Sequence, residues 1–121
     1  MHYTHSHEWI KVTNSTATVG VSDFAQKELG DIVYVELPLK GATVCAGKEI
    51  AVLESTKAAA DVYAPISGEV IEVNTSLKDH PEWINESPEG QGWLIKIKMK
   101  DPTELDSLMT KTQYNEFIKA K

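Results

Sequence analysis

Apolar and polar residues alternate in several short runs along the chain, and this two-residue period is typical of β-strands with one buried face. The clearest run is residues 93–99, in which Trp93, Ile95, Ile97 and Met99 share one face. Further strands are predicted over residues 8–12, 16–21, 32–37, 43–45, 49–54, 62–66 and 69–73. Short strands separated by frequent turn residues favour a sandwich or barrel.

Helix signals interrupt this pattern at three places. Ser22 is a predicted N-cap for a short helix over residues 23–29, which Gly30 ends. Residues 101–104, Asp-Pro-Thr-Glu, combine an N-cap, a first-position proline and a capping-box acid. The apolar positions expected on one face of that helix are Leu105, Leu108 and Met109. Thr112 is the predicted cap of a last short helix.

Length and composition indicate one packed domain over residues 1–121. The chain has 121 residues, of which 41% are hydrophobic, enough to bury a core. A net charge of −6 argues against binding to a nucleic-acid backbone and favours protein partners that meet an acidic surface. No run approaches the length of a membrane span, and no leader pattern is visible. The single cysteine, Cys45, suits a reducing compartment, so we expect a cytoplasmic protein. We also expect a monomer without a membrane partner.

Residues 52–66 place two strand-like runs around a single lysine. This pattern predicts a β-hairpin with Lys57 at its tip. Residues 58–60 are all alanine, which has low strand propensity and leaves open space beside the lysine for an enzyme that modifies it. Glu54 and Asp61 add a carboxylate on each side.

No catalytic motif accompanies this lysine. The sequence lacks G-x-S-x-G, C-x-x-C, H-E-x-x-H and a glycine-rich phosphate loop. His2, His5 and His7 could suggest a metal-dependent catalyst, but they lack a carboxylate or cysteine framework, and that hypothesis ranks last. A carrier needs only an attachment nitrogen, a rigid platform and a path for a long arm. We therefore expect a non-catalytic carrier.

The segment 54–62, Glu-Ser-Thr-Lys-Ala-Ala-Ala-Asp-Val, resembles the lipoyl-lysine segment of the H proteins of the glycine cleavage system. The same family pattern runs through residues 7–9, 30–38, 67–70 and 92–97. The resemblance implies a mainly β fold, the barrel-sandwich hybrid of lipoyl and biotinyl carriers. It also implies a short helix after the second strand and a C-terminal helical segment.

What the resemblance implies about chemistry centres on Lys57, which would bear lipoate in amide linkage. The lipoyl disulfide would accept the aminomethyl group left when a pyridoxal-phosphate enzyme, glycine decarboxylase (P protein), decarboxylates glycine. A folate-dependent aminomethyltransferase (T protein) would remove that group, and the flavoenzyme dihydrolipoamide dehydrogenase (L protein) would reoxidise the dithiol. A lipoate ligase or a lipoyl/octanoyl transferase would attach the cofactor. The demanding chemistry belongs to the cofactors and partners.

Members of this family shelter the loaded arm in a surface cleft. The residues that match the cleft here are Ser6, Glu8 and Asp61. Glu8 is our first choice for holding the amine of the aminomethyl group through a charge-assisted hydrogen bond. Glu28 stands where some members of the family have a histidine. This glutamate would either add a further acid near the amine or simply face the solvent.

Three other carrier functions use a similar hairpin. A lipoyl relay protein would donate lipoate to other acceptors, and it too would need Lys57. A lipoyl domain of a 2-oxoacid dehydrogenase system is shorter and is tethered by Pro/Ala-rich linkers. A biotin carrier usually has methionine on both sides of its lysine, whereas Thr56 and Ala58 flank Lys57 here.

Overall fold

The computed structural model describes residues 1–120, over which the chain forms two antiparallel sheets. Its strands are β1 (His2–Tyr3), β2 (Glu8–Thr13), β3 (Thr16–Val21), β4 (Ile32–Glu36), β5 (Thr43–Val44), β6 (Glu49–Ser55), β7 (Ala59–Tyr63), β8 (Gly68–Val73), β9 (Ile95–Met99) and β10 (Met109–Thr110). Its α-helices are α1 (Asp23–Leu29), α2 (Trp83–Glu86) and α3 (Lys111–Lys119), and its 3₁₀ helices are Thr75–Lys78 and Pro102–Ser107. The strand orders are β10-β1-β2-β3-β9-β8-β5 and β4-β6-β7.

The two sheets share one apolar core. It includes the inward-facing residues Ile10, Val19, Ile97, Val35, Leu53 and Val62, all of them buried. Burying one such aliphatic side chain contributes about 1.5–3 kcal/mol. The alternation predicted for residues 93–99 is confirmed where the strand forms, because Ile95 and Ile97 are buried while Lys98 is exposed.

The short helix is confirmed with the predicted bounds, because its signals are local. Ser22 is the N-cap, and its Oγ accepts a hydrogen bond from Ala25 N–H at 3.2 Å. At the other end Gly30 has φ +83°, in the left-handed region that glycine adopts most readily. The helix follows β3 and not the second strand, since the structure adds β1, which the prediction omitted. A strand of two residues shows no alternation in the sequence.

The predicted C-terminal helical segment is confirmed, but two of its details are wrong. The 3₁₀ helix Pro102–Ser107 ends before Leu108, so Leu105, Leu108 and Met109 do not share a helical face. Met109 instead lies in β10, which pairs with β1. Helix α3 is capped by Thr110 and not by Thr112. Gln113, three residues after Thr110, completes a capping box with it, with hydrogen bonds of 3.2 and 2.9 Å.

Helix α3 packs against the N-terminal segment through a second apolar cluster formed by Tyr3, Trp9 and Tyr114. The rings of Tyr3 and Tyr114 stack with centroids 4.4 Å apart. The Tyr114 hydroxyl lies 2.7 Å from His7 Nδ1 and 2.6 Å from Ser22 Oγ. Burial raises the pKa of Tyr114, so this phenol keeps its proton at neutral pH. The hydroxyl thus ties α3 to the N-terminal segment and to the cap of α1.

We expect Tyr114→Phe to lower the free energy of unfolding by about 1–3 kcal/mol, because His7 and Ser22 both lose this buried hydrogen-bonding partner. Urea unfolding measures the change. The matched control is Tyr34→Phe, since Tyr34 is 54% exposed and its loss of a hydroxyl should cost within about 0.5 kcal/mol. Equal effects of the two variants would show that the Tyr114 hydroxyl does not hold the helix.

Candidate lysine site and adjoining cleft

The β6–β7 hairpin displays Lys57 at its tip, as predicted. The two strands pair in the antiparallel register Glu54↔Ala59 and Leu53↔Ala60, which leaves residues 56–58 as the turn. Lys57 is exposed there. The second strand was predicted to begin at residue 62 and instead begins at Ala59, because pairing with β6 overrides the low strand propensity of alanine.

Ser55 fixes the backbone of the tip. Its Oγ accepts hydrogen bonds from the N–H groups of Lys57 and Ala58, each at 3.1 Å, and it donates to the Ala58 carbonyl at 3.1 Å. The Ser55 N–H also donates to that carbonyl, at 2.8 Å. Sequence reasoning did not single out this residue. Its signal was a serine two residues before the lysine, a position from which a hydroxyl can bond the local backbone.

A cleft of about 400 Å³ lies beside the hairpin, between the N-terminal segment, α1 and β7. Its polar and charged lining residues include Ser6, His7, Glu8, Glu28 and Asp61, and its apolar ones include Val21, Phe24, Ala25, Leu29 and Val62. All three residues predicted for a cleft, together with Glu28, therefore lie around one cavity next to the lysine hairpin. The roles assigned to them remain predictions.

Glu8 differs from the other acids of this cleft because it is only 2% exposed. Its Oε1 accepts hydrogen bonds from Thr4 Oγ1 and Ser6 Oγ, both at 2.6 Å. Its Oε2 accepts one from Tyr63 N–H at 3.2 Å. The carboxylate thus joins the N-terminal segment to β7 and builds one wall of the cleft. The exposed carboxylates of the cleft are those of Asp61 and Glu28.

His7 also lines the cleft, and sequence reasoning assigned it no role there. Its φ is +73°, which lets the chain turn sharply between the N-terminal segment and β2. Its carbonyl accepts from Ser22 N–H at 2.9 Å. Within residues 1–120 no group of three His, Cys, Asp or Glu side chains could hold a metal ion. In the same part of the chain no helix is long and apolar enough to cross a membrane.

Comparison with known proteins gives a consistent result. The family described as glycine cleavage H-protein matches residues 1–121. A probable glycine cleavage system H protein of Aeropyrum pernix is 53% identical over 121 residues, which are 100% of this chain and 85% of that protein. The glycine cleavage system H protein of Parvibaculum lavamentivorans is 49% identical over 118 residues, 98% of this chain and 94% of that protein.

A solved structure shares the whole architecture. The crystal structure of a glycine cleavage system H protein from Mycobacterium marinum matches with a TM-score of 0.88 and 37% identity, covering 95% of this chain and 93% of that one. This likeness confirms the predicted barrel-sandwich hybrid, here with two sheets that do not close. The chain belongs to the glycine cleavage H-protein family, the lipoyl carriers of the glycine cleavage system.

Proposed function

We propose that this chain carries lipoate in amide linkage on Lys57 and is itself non-catalytic. The observation that carries the proposal is the exposed lysine, on a tip whose backbone Ser55 fixes, beside a cleft of about 400 Å³. When attached, lipoate supplies the disulfide that takes up the aminomethyl group of glycine. A fixed tip sets where the arm begins, which raises its effective concentration at the site of a docked partner.

The proposed partners load, unload and reoxidise the arm. Glycine decarboxylase, the aminomethyltransferase and dihydrolipoamide dehydrogenase would act in turn, after a ligase or transferase has modified Lys57. That enzyme would approach over Ala58 and Ala59, both exposed and small. The free thiol of Cys45 is exposed, which fits the reducing cytoplasm in which we propose that these encounters occur.

The walls of the cleft fit the arm chemically. Amide formation removes the charge of Lys57, so the modified side chain can lie along an apolar surface without desolvating an ammonium group. Phe24, Ala25, Leu29 and Val62 supply such a surface. The cleft therefore accepts an uncharged hydrocarbon arm and can keep its end out of bulk water.

The carboxylates of the cleft fit the charge of the cargo. An amine held there is protonated near neutral pH and would donate a charge-assisted hydrogen bond worth about 1.5–3 kcal/mol. The sequence favoured Glu8 for this role, but its carboxylate is buried and already accepts three hydrogen bonds. We therefore assign the role to Asp61 first, because its carboxylate is exposed in the cleft, with Glu28 as a second acid. Ser6 and Glu8 act by building the wall between the N-terminal segment and β7, since Glu8 accepts hydrogen bonds from Ser6 Oγ and from Tyr63 N–H.

The attachment site is tested with Lys57→Arg, because a guanidinium stays protonated and cannot form the amide. We expect complete loss of lipoylation by a lipoate ligase, with the fold unchanged since Lys57 is exposed. Intact mass and peptide mapping report the modification. Lys48→Arg, at another exposed turn of the chain, is the control and should be lipoylated as wild type. Lipoate on a different lysine of the Lys57→Arg protein would contradict the assignment.

Sheltering of the cargo is tested with Asp61→Asn, which keeps shape and removes charge. We expect the loaded variant, without aminomethyltransferase, to release ammonia and formaldehyde at least about tenfold faster than wild type. This factor corresponds to the loss of one charge-assisted hydrogen bond. Glu36→Gln on β4 removes an exposed charge outside the cleft and should leave the rate unchanged. Equal rates for both variants and wild type would remove Asp61 from the mechanism and leave Glu28 as the acid to test.

A further inference from the structure

Gly30 lies directly against the side chain of Lys57. A Cβ at Gly30 would be 3.0 Å from Lys57 Cε, 3.7 Å from Nζ and 4.0 Å from Cδ. The first distance is closer than ordinary van der Waals contact, so even a methyl group would displace the end of the lysine side chain. The methylene stem of Lys57 therefore rests on bare backbone at the C-terminal end of α1.

The residues around Gly30 also hold the backbone of the hairpin tip. The Asp31 carbonyl accepts a hydrogen bond from Thr56 N–H at 3.1 Å. The segment 30–32, which we call the seat, thus contacts both the turn that carries Lys57 and the stem that leaves it. Any shift of the seat moves the point at which an attached arm begins.

Asn85 also holds the seat, through its side-chain amide. Its Nδ2 donates to the Gly30 carbonyl at 2.9 Å and to Gln26 Oε1 at 3.0 Å, and its Oδ1 accepts from Ile32 N–H at 2.9 Å. Both donors and the acceptor of this amide are therefore used within α1 and the seat. Ile84, the residue before Asn85, is fully buried, so α2 anchors the amide to the core.

The seat adjoins the cleft, because α1 forms one of its walls. Glu28 and Leu29, immediately before Gly30, both line the cavity. We propose that Gly30 and Asn85 are positioning residues that direct the modified Lys57 side chain from the tip toward the cleft and Asp61. This assignment rests on the proposed carrier function and adds a reason why the arm folds back instead of extending into solvent.

The decisive variant is Gly30→Ala, tested on the lipoylated, aminomethyl-loaded full chain. Gly47→Ala is its matched control, since Gly47 has φ +85° and a Cβ there would have no atom within 4 Å. Both substitutions strain the backbone at a similar φ, but only the first obstructs Lys57. We expect the Gly30→Ala protein to release ammonia and formaldehyde about tenfold faster than the Gly47→Ala protein. This factor corresponds to the loss of one charge-assisted hydrogen bond between the amine and Asp61.

A double mutant separates positioning from general destabilisation. If Gly30 acts by delivering the arm to Asp61, adding Gly30→Ala to Asp61→Asn should change the release rate little. Both substitutions would then remove the same contact, that between the amine and Asp61. Additive effects of the two substitutions would overturn the inference. A second test compares Asn85→Asp with Asn74→Asp. The first substitution removes both donors to the seat and α1, whereas the second removes donors to the carbonyls of Gln91 and Trp93, away from the lysine. Only Asn85→Asp should speed the release of ammonia and formaldehyde.

The outcomes also separate this inference from the proposed function. Absence of lipoate on wild-type Lys57 would overturn both. A wild-type protein that is lipoylated, and that holds its cargo longer than Asp61→Asn does, supports the carrier function. If Gly30→Ala then matches Gly47→Ala, and Asn85→Asp matches Asn74→Asp, only the positioning role is overturned.

Discussion

The cleft depends on the buried carboxylate of Glu8. A charge that is 2% exposed is tolerated only when its oxygens are hydrogen-bonded, and here Thr4, Ser6 and Tyr63 supply the donors. Because these donors come from the N-terminal segment and from β7, the carboxylate closes the gap between two parts of the chain that share no backbone hydrogen bonds in the sheets. Removing it would leave the Tyr63 N–H without this acceptor and release one wall of the cleft.

Helix α1 forms the other wall. It is capped by Ser22 and ended by Gly30, and the Tyr114 hydroxyl ties that cap to His7 in the N-terminal segment. The lysine hairpin stands at the margin of this cavity, with its own turn fixed by Ser55. Hydrogen bonds to the backbone thus hold both the attachment point and the walls in place. Under the proposed carrier function, such preorganisation would lower the ordering cost each time the cargo is sheltered or presented.

The features that sequence reasoning predicted correctly depend on local signals. Ser22 and Gly30 marked both ends of α1, and the strand-like runs on either side of Lys57 marked the hairpin. Pairings between distant segments left no such signal, as in the pairing of β1 with β10, where His2 lies opposite Thr110 and Tyr3 opposite Met109. The three cleft residues came from family resemblance and not from periodicity.

Burial and contacts between distant residues were beyond the sequence pattern. Nothing in the sequence around Glu8 showed that its carboxylate would be buried. A glutamate at the start of a strand is equally compatible with an exposed position. The contact of Lys57 with Gly30 and the hold of Asn85 on the seat join segments far apart in the chain, so only the folded structure reveals them.

The central claim is that this protein holds a loaded lipoyl arm in its own cleft, and amide chemical-shift mapping tests it most directly. Spectra of ¹⁵N-labelled protein would be compared before lipoylation, after lipoylation and after loading with the aminomethyl group. If the arm lies in the cleft, loading shifts the amide signals of Ser6, Ala25 and Asp61, which line the cleft, as well as those of the tip. Shifts confined to residues 56–58 in the loaded protein would contradict this placement of the arm.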